Sequence, residues 1–273
     1  MILKANARMY GLAPTVLSAW SDLFGWISRR SGMTLEIFTY PPPAPLEGLW
    51  QRSDLALVFM CGWPYVKADP RPLLIAAPVP APDRYNSKPI YFTDLIVRAD
   101  SAYIRLEDTY GSRLGYTVAG SHSGYNALRH HLWRQAAEGQ SPTYKEIIGP
   151  LITPRGVIDA LLEGRIDIGP LDSYAHDLLR HNEPELVAKL RTVATTAPAP
   201  IPPLIATAPI ASEVFEALRA ALSAVAEVAE LSSLRKTLCL QGFAFPAPAN
   251  YQVLLDREKE ANSLELQKIS GSI

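Results

Sequence analysis

The stretch TPRGVIDALLEGRIDIGPLDSYAHDLL, Thr153 to Leu179, decides the fold class. Thr153 suits a helix N-cap and Pro154 the first helical position, where a missing N–H costs nothing. Val157, Ile158, Leu161 and Leu162 recur at helical spacing, and Gly164 is a natural stop. IDIGPLD then reads as a short strand, and a second helix follows it. Helix, strand and helix in one short span predict an α/β unit.

The same logic extends in both directions. Upstream, YFTDLIVRADS (Tyr91–Ser101) and RLGYTVAG read as strands, and a helix pattern follows in AGSHSGYNALRHHLWRQ, Ala119 to Gln135. In the first third, Leu3–Met9 is a strand candidate. Pro14 opens a helix whose apolar set is Val16, Leu17, Trp20, Leu23, Phe24 and Ile27, with Gly32 at its end. TLEIFTY is a strand closed by Pro41-Pro42-Pro43, and LEGLWQRS a short helix. DLALVFMCG and PLLIAAPV are unbroken apolar runs, as in strands covered on both faces. This βαβαβ order predicts a layered α/β unit with a largely parallel sheet. Downstream, proline density makes TVATTAPAPIPPLIATAP extended. A long helix runs from Ser212 to about Leu231, LSSLRKTLCLQGF is a further helix and exit, and the polar tail from Asp256 frays. Extended crossings near Tyr91–Arg98 and Thr192–Leu204 predict two lobes. One takes residues 1–92 plus 203–273, the other 93–202, and the cleft between them suits a small ligand.

Composition narrows the function. The 273 residues carry a formal net charge of -1 without a basic run, which argues against a nucleic-acid partner. No stretch approaches the roughly 20 apolar residues of a membrane span. Cys61 and Cys239 form no C-x-x-C and read as core residues; no metal site or cofactor is expected. MILKANARMYG lacks an apolar signal region and a cleavage site. The expectation is a cytoplasmic protein, or a periplasmic one whose signal peptide has been removed.

The polar cluster Ser121-His122-Ser123-Gly124 supports three readings. As a catalytic serine–histidine pair it fails, because a G-x-S-x-G elbow needs serine in the centre, where His122 stands. As a cap, Ser121 or Ser123 suits the start of the following helix. As an anion cradle, the helix start offers unpaired N–H groups, two hydroxyls and, at Gly124, room for close approach to the backbone. Cap and cradle are compatible. His130 and His131 read as surface residues. No dinucleotide or P-loop motif is present. Asp167 is expected to bond to backbone, whereas Asp172, at a strand end, is the better ligand candidate. Tyr10, Trp63, Tyr65 and Tyr91 sit at strand ends or adjoining loops, where ligands bind in open α/β sheets, or serve as packing aromatics.

The segments FTDLIVRADS, EDTYGSRLGYTVAGSHSGYNALRHHL, GRIDIGPLDSYAHDLL, APIPPLIA and LQGFAFPAPANYQVLL together resemble the phosphate/phosphite/phosphonate-binding solute receptors of ABC transporters. The S-x-S-G-Y segment is the most specific of them. The resemblance implies a type 2 periplasmic-binding-protein fold, each lobe a mixed sheet flanked by helices, with two crossing strands as hinge. It implies a phosphonate- or phosphate-like oxyanion held by Ser121, His122 and Ser123, with Gly124 and Tyr125 beside them. Tyr10, Trp63, Tyr91 and Asp172 would line the remainder. His122 departs from the threonine common at its position and would offer an N–H or, when protonated, a charge. The implied partner is an ABC permease, the only link to a membrane, and no chemistry is expected. A cytosolic enzyme of the same fold acting on a small carboxylate, as in menaquinone biosynthesis, is the alternative. A sensor domain is a third class.

Overall fold

In the computed structural model, which describes residues 2–263, the chain forms two compact units. The first comprises the described residues up to Ile90 together with Pro200–Asn250. The second comprises Tyr91–Ala199 and the described residues from Tyr251 onward.

The chain enters the first unit as β1 (Leu3–Asn6), α1 (Pro14–Arg30), β2 (Leu35–Ile37), α2 (Leu46–Trp50), β3 (Leu55–Phe59), α3 (Gly62–Lys67) and β4 (Leu73–Pro80). β1 pairs in parallel with β2 and β3, as strand–helix alternation requires. α1 buries Val16, Ala19, Trp20, Leu23, Phe24 and Ile27, whereas Leu17, counted with the apolar face, is 39% exposed. All five residues of β3 are buried, which explains why that strand reads as an unbroken apolar run.

The second unit begins inside β5 (Ile90–Tyr91) and continues through β6 (Thr93–Arg98), β7 (Arg113–Gly115), α4 (Ala127–Ala137), β8 (Glu146–Ile148), α5 (Pro154–Leu162), β9 (Gly169–Asp172), α6 (Ser173–Asn182), α7 (Pro184–Val187), β10 (Leu190–Thr195) and β11 (Ala199–Pro200). β6 lies between β10 and β9, antiparallel to both, and β7 pairs in parallel with β8. The core joins Leu95 and Val97 of β6, Leu114, Leu128 and Leu132 of α4, Tyr144 and Ile168. Burying each α4 leucine contributes about 1.5–3 kcal/mol and fixes the helix that follows the polar cluster.

The return to the first unit brings β12 (Leu204–Ala206), α8 (Ser212–Ala224), α9 (Ser232–Thr237) and β13 (Leu240–Ala244). The sheet order is β13-β4-β12-β3-β1-β2. β12 is antiparallel to both β3 and β4, and β13 to β4, so the sheet is mixed rather than largely parallel. The proline-rich stretch indeed runs extended, through β10, β11 and β12. The helix from Ser212 ends at Ala224 rather than near Leu231, and there Ala226 packs against Gly242 of β13: a Cβ on that glycine would sit 2.9 Å from the Ala226 Cβ.

The end of the chain departs most from expectation. Tyr251 onward belongs to the second unit, not the first, and the expected fraying tail from Asp256 is helical as far as described. α10 (Val253–Glu260) packs on α4. Asn126 donates to the Leu254 carbonyl at 3.3 Å, Arg129 to the Glu258 carbonyl at 3.2 Å, and His130 Nε2 meets Glu260 Oε2 at 2.8 Å. His130 is therefore buried rather than superficial, and His131 is half-buried. The tail beyond Ser263 lies outside the described residues.

Candidate functional site

The polar cluster forms one widened turn ahead of α4. His122–Asn126 is π-helical, with the Asn126 N–H reaching the Ser121 carbonyl at 3.1 Å. π-turns of this kind are frequent at functional sites. Ser121 is the N-cap: its hydroxyl oxygen accepts the Gly124 N–H at 3.0 Å, which leaves its own O–H to donate. Ser123 is half-exposed. Neither its amide nor its hydroxyl has a partner among the described residues. Its carbonyl is held from behind by the Thr93 hydroxyl at 3.0 Å. Capping thus falls to Ser121, and the Ser123 amide and hydroxyl are not spent on it.

Gly124 serves a purpose other than ligand approach. Its N–H is spent on Ser121, its carbonyl accepts the Thr117 N–H at 3.2 Å, and a Cβ there would sit 1.7 Å from Thr117 Oγ1. The glycine is required by the side chain beneath it. Thr117 was not singled out from sequence, because a lone threonine in RLGYTVAG carries no signal. Its buried hydroxyl has no hydrogen-bond partner among the described residues.

His122 turns inward. It is 1% exposed, lies 6.1 Å from the Tyr91 ring and meets Asn126 Nδ2 through Nδ1 at 3.3 Å. The same Asn126 nitrogen faces the Leu254 carbonyl, which only accepts, so it is the donor and His122 Nδ1 the acceptor. Burial, then the positive charges of Arg257 and His130, hold the imidazole down at about 3. It therefore brings no positive charge to an anion near neutral pH. Because the folded value lies below the unfolded one, the contribution to stability is full above about pH 6.5 and falls as the pH drops toward 3. A His122→Gln variant should lose less stability than the parent between pH 6.5 and 4.5. The difference expected from this one group is about 2–3 kcal/mol, read by urea denaturation across that range. Equal losses would show that His122 is not the group responsible.

Asp172 closes β9 and caps α6, accepting the Ala175 N–H at 3.0 Å. Its register partner across the sheet is Thr93, the residue that holds Ser123. Tyr125 stands edge-on to Tyr116 at 5.4 Å. Asp167 accepts the Arg113 backbone N–H at 2.9 Å, as expected, and also chelates its guanidinium. That pair holds the Asp167 carboxyl below the usual carboxylate range. Ser121–Tyr125, Tyr91 and Asp172 thus share the second unit. Tyr10 and Trp63 belong to the first. Tyr10 is buried edge-on against Phe59 at 5.0 Å, and Trp63 carries the Lys67 ammonium 4.4 Å above its ring. Tyr65 is likewise buried there. Arg257, which approaches Tyr91 and His122 from α10 and donates to the Pro198 carbonyl at 2.6 Å, was also missed from sequence.

A family model for the periplasmic substrate-binding protein of phosphonate ABC transporters matches residues 12–251. The chain belongs to this family. No curated protein matches it in sequence. Among solved structures, it is similar to a binding-protein component of an ABC phosphonate transporter from Pseudomonas aeruginosa, with TM-score 0.77 and 16% identity over 98% of this chain and 94% of that one. It is similar too to PhnD1 from Prochlorococcus marinus in complex with methylphosphonate, with TM-score 0.75 and 16% identity over 96% and 99%. A Xanthomonas citri protein bound to ATP follows at TM-score 0.62 and 19% identity over 99% of each chain. These likenesses establish the two-lobed type 2 binding-protein fold. The phosphonate-receptor family is a transport family rather than an enzyme class, and the alternative of a menaquinone-type enzyme finds no support. No helix among the described residues is long and apolar enough to cross a membrane.

Proposed function

We propose that this phosphonate-family receptor binds a small phosphonate or phosphate oxyanion at the turn Ser121–Tyr125 and returns it chemically unchanged. The observation that carries the reading is the unengaged amide and hydroxyl of Ser123 at the start of a helix, beside a Ser121 hydroxyl with a proton to donate. A helix start favours negative charge without any net positive charge on the protein. The His122 side chain takes no part as a cation. The proposed setting is the periplasm and the proposed partner a membrane permease, as the family model describes for its members.

Titration calorimetry with inorganic phosphate, phosphite and methylphosphonate tests the ligand class. At least one should bind, and mass spectrometry should recover it intact. Ser123→Ala should weaken the bound anion by about 1–3 kcal/mol, the loss of one hydrogen bond to a charged group. Binding of none of the three by folded protein would overturn the proposal.

A further inference from the structure

Ile152 has a backbone conformation that its side chain resists. Its φ is +67°, in the left-handed region where a β-branched residue is a genuine outlier. The turn around it is locked from both sides. The Leu151 N–H reaches the Tyr116 carbonyl at 3.0 Å, the Ile152 N–H the Thr117 carbonyl at 3.2 Å, and the Thr153 hydroxyl caps α5 at Gly156. Gly156 seals the turn, since a Cβ there would lie 2.1 Å from the Leu151 carbonyl oxygen. The strain does not serve packing: the isoleucine is 41% exposed. An apolar side chain forced into a strained turn and then left in solvent has no explanation in stability. Strained residues of this kind gather at ligand-binding sites. Through Thr117 the turn is one step from the cradle, because Thr117 bonds Gly124 with its N–H and Ile152 with its carbonyl.

We propose that Ile152 is a specificity-determining residue, presenting an apolar contact to the organic substituent of a phosphonate whose oxyanion sits at Ser121–Tyr125. The inference rests on the oxyanion reading above and adds to it the residue that would read the organic substituent and so favour a short alkylphosphonate over inorganic phosphate. The discriminating contact is a few methyl groups, which in an apolar site is worth roughly tenfold or more in affinity.

The test is calorimetry of the full chain and of Ile152→Gly with inorganic phosphate, methylphosphonate and propylphosphonate. Glycine adopts the left-handed conformation freely, so this variant should fold and melt no lower than the parent. Ile152→Asn, which also tolerates that conformation, is the second variant. Expected is a parent that prefers propylphosphonate to phosphate, and variants that keep phosphate within about twofold while losing roughly tenfold on propylphosphonate. A parent that binds these anions but whose preference is unchanged in both variants, or variants weakened equally on all three, would overturn the role of Ile152 and leave the cradle standing. A parent that binds none of them would overturn the cradle itself and the inference with it.

Discussion

Asp94→Ala should cost about 3–5 kcal/mol, the largest single loss expected in the second unit. Asp94 lies on β6 with no solvent exposure. One carboxylate oxygen meets His176 Nδ1 at 2.9 Å and the other accepts the Thr195 hydroxyl at 2.9 Å. It thereby ties α6 and β10 to the central strand of the sheet. Arg180 stands over the histidine at 3.4 Å and bonds Asp177 as well. Alanine would strand the buried imidazole and weaken the Thr195 link, and each orphaned group carries its own desolvation cost of about 1–3 kcal/mol. Asn at the same position keeps a polar partner for both and should recover a good part of the loss. Urea denaturation at neutral pH reads the difference. A loss below about 1 kcal/mol for alanine would mean that the pair is not a structural tie. Neighbouring strand residues point to opposite faces, so Thr93 serves the Ser123 turn while Asp94 serves α6. Anion affinity of the folded Asp94→Ala protein should therefore change little.

Gly124→Ala should damage both stability and binding. The added methyl would meet Thr117 Oγ1 at 1.7 Å, its Cβ at 2.8 Å and its Cγ2 at 3.0 Å. Thr117 is buried and β-branched, so it has no other rotamer to retreat to at low cost. Overpacking of this kind costs about 1–3 kcal/mol, and here it displaces the turn that holds Ser123. Anion affinity should fall at least roughly tenfold, since small misplacements of a binding constellation are felt strongly. The mechanism predicts a rescue: Thr117→Ala in the same chain removes the closest conflict, Oγ1, and the Cγ2 one, keeps only the Cβ at 2.8 Å, and should return much of the stability and affinity. Additive losses in the double variant would exclude the Thr117 conflict as the cause.

How legible these features were in the sequence depends on their range. The α/β order, the helix at Pro154 with its Thr153 cap, and the extended run through Pro198–Pro203 follow from local signals: periodicity, capping residues and proline density. The polar cluster announced a helix start because the cap is local too. Pairing direction is not local. Nothing in Leu204–Ala206 tells that it enters the first sheet between β3 and β4 and antiparallel to both. Gly124 signals in the sequence that a side chain must be missing there, but the neighbour that requires this, Thr117, approaches it only once β7 and the turn are folded together. His122 looked like a ligand-facing donor in sequence. Its burial depends on α10, built from residues far along the chain, whose polar composition suggested a loose end. Ile152 gives no local sign of its positive φ, which is set by the bonds of its neighbours to Tyr116 and Thr117.

The placement of Tyr251 onward in the second unit has a consequence for how the protein is made. Neither unit is a continuous stretch of chain. The turn Ser121–Tyr125 leaves the ribosome first, and the carbonyls and carboxylate that engage Asn126, Arg129 and His130 follow those three residues by 128 to 130 positions. The first unit likewise waits for β12 and β13 to finish its sheet. Domains ordinarily fold one after another as they emerge. Here the Ser121–Tyr125 turn is left without its backing until α10 has emerged, so chains truncated before Tyr251 should fail to hold the proposed anion even when every serine of the turn is present.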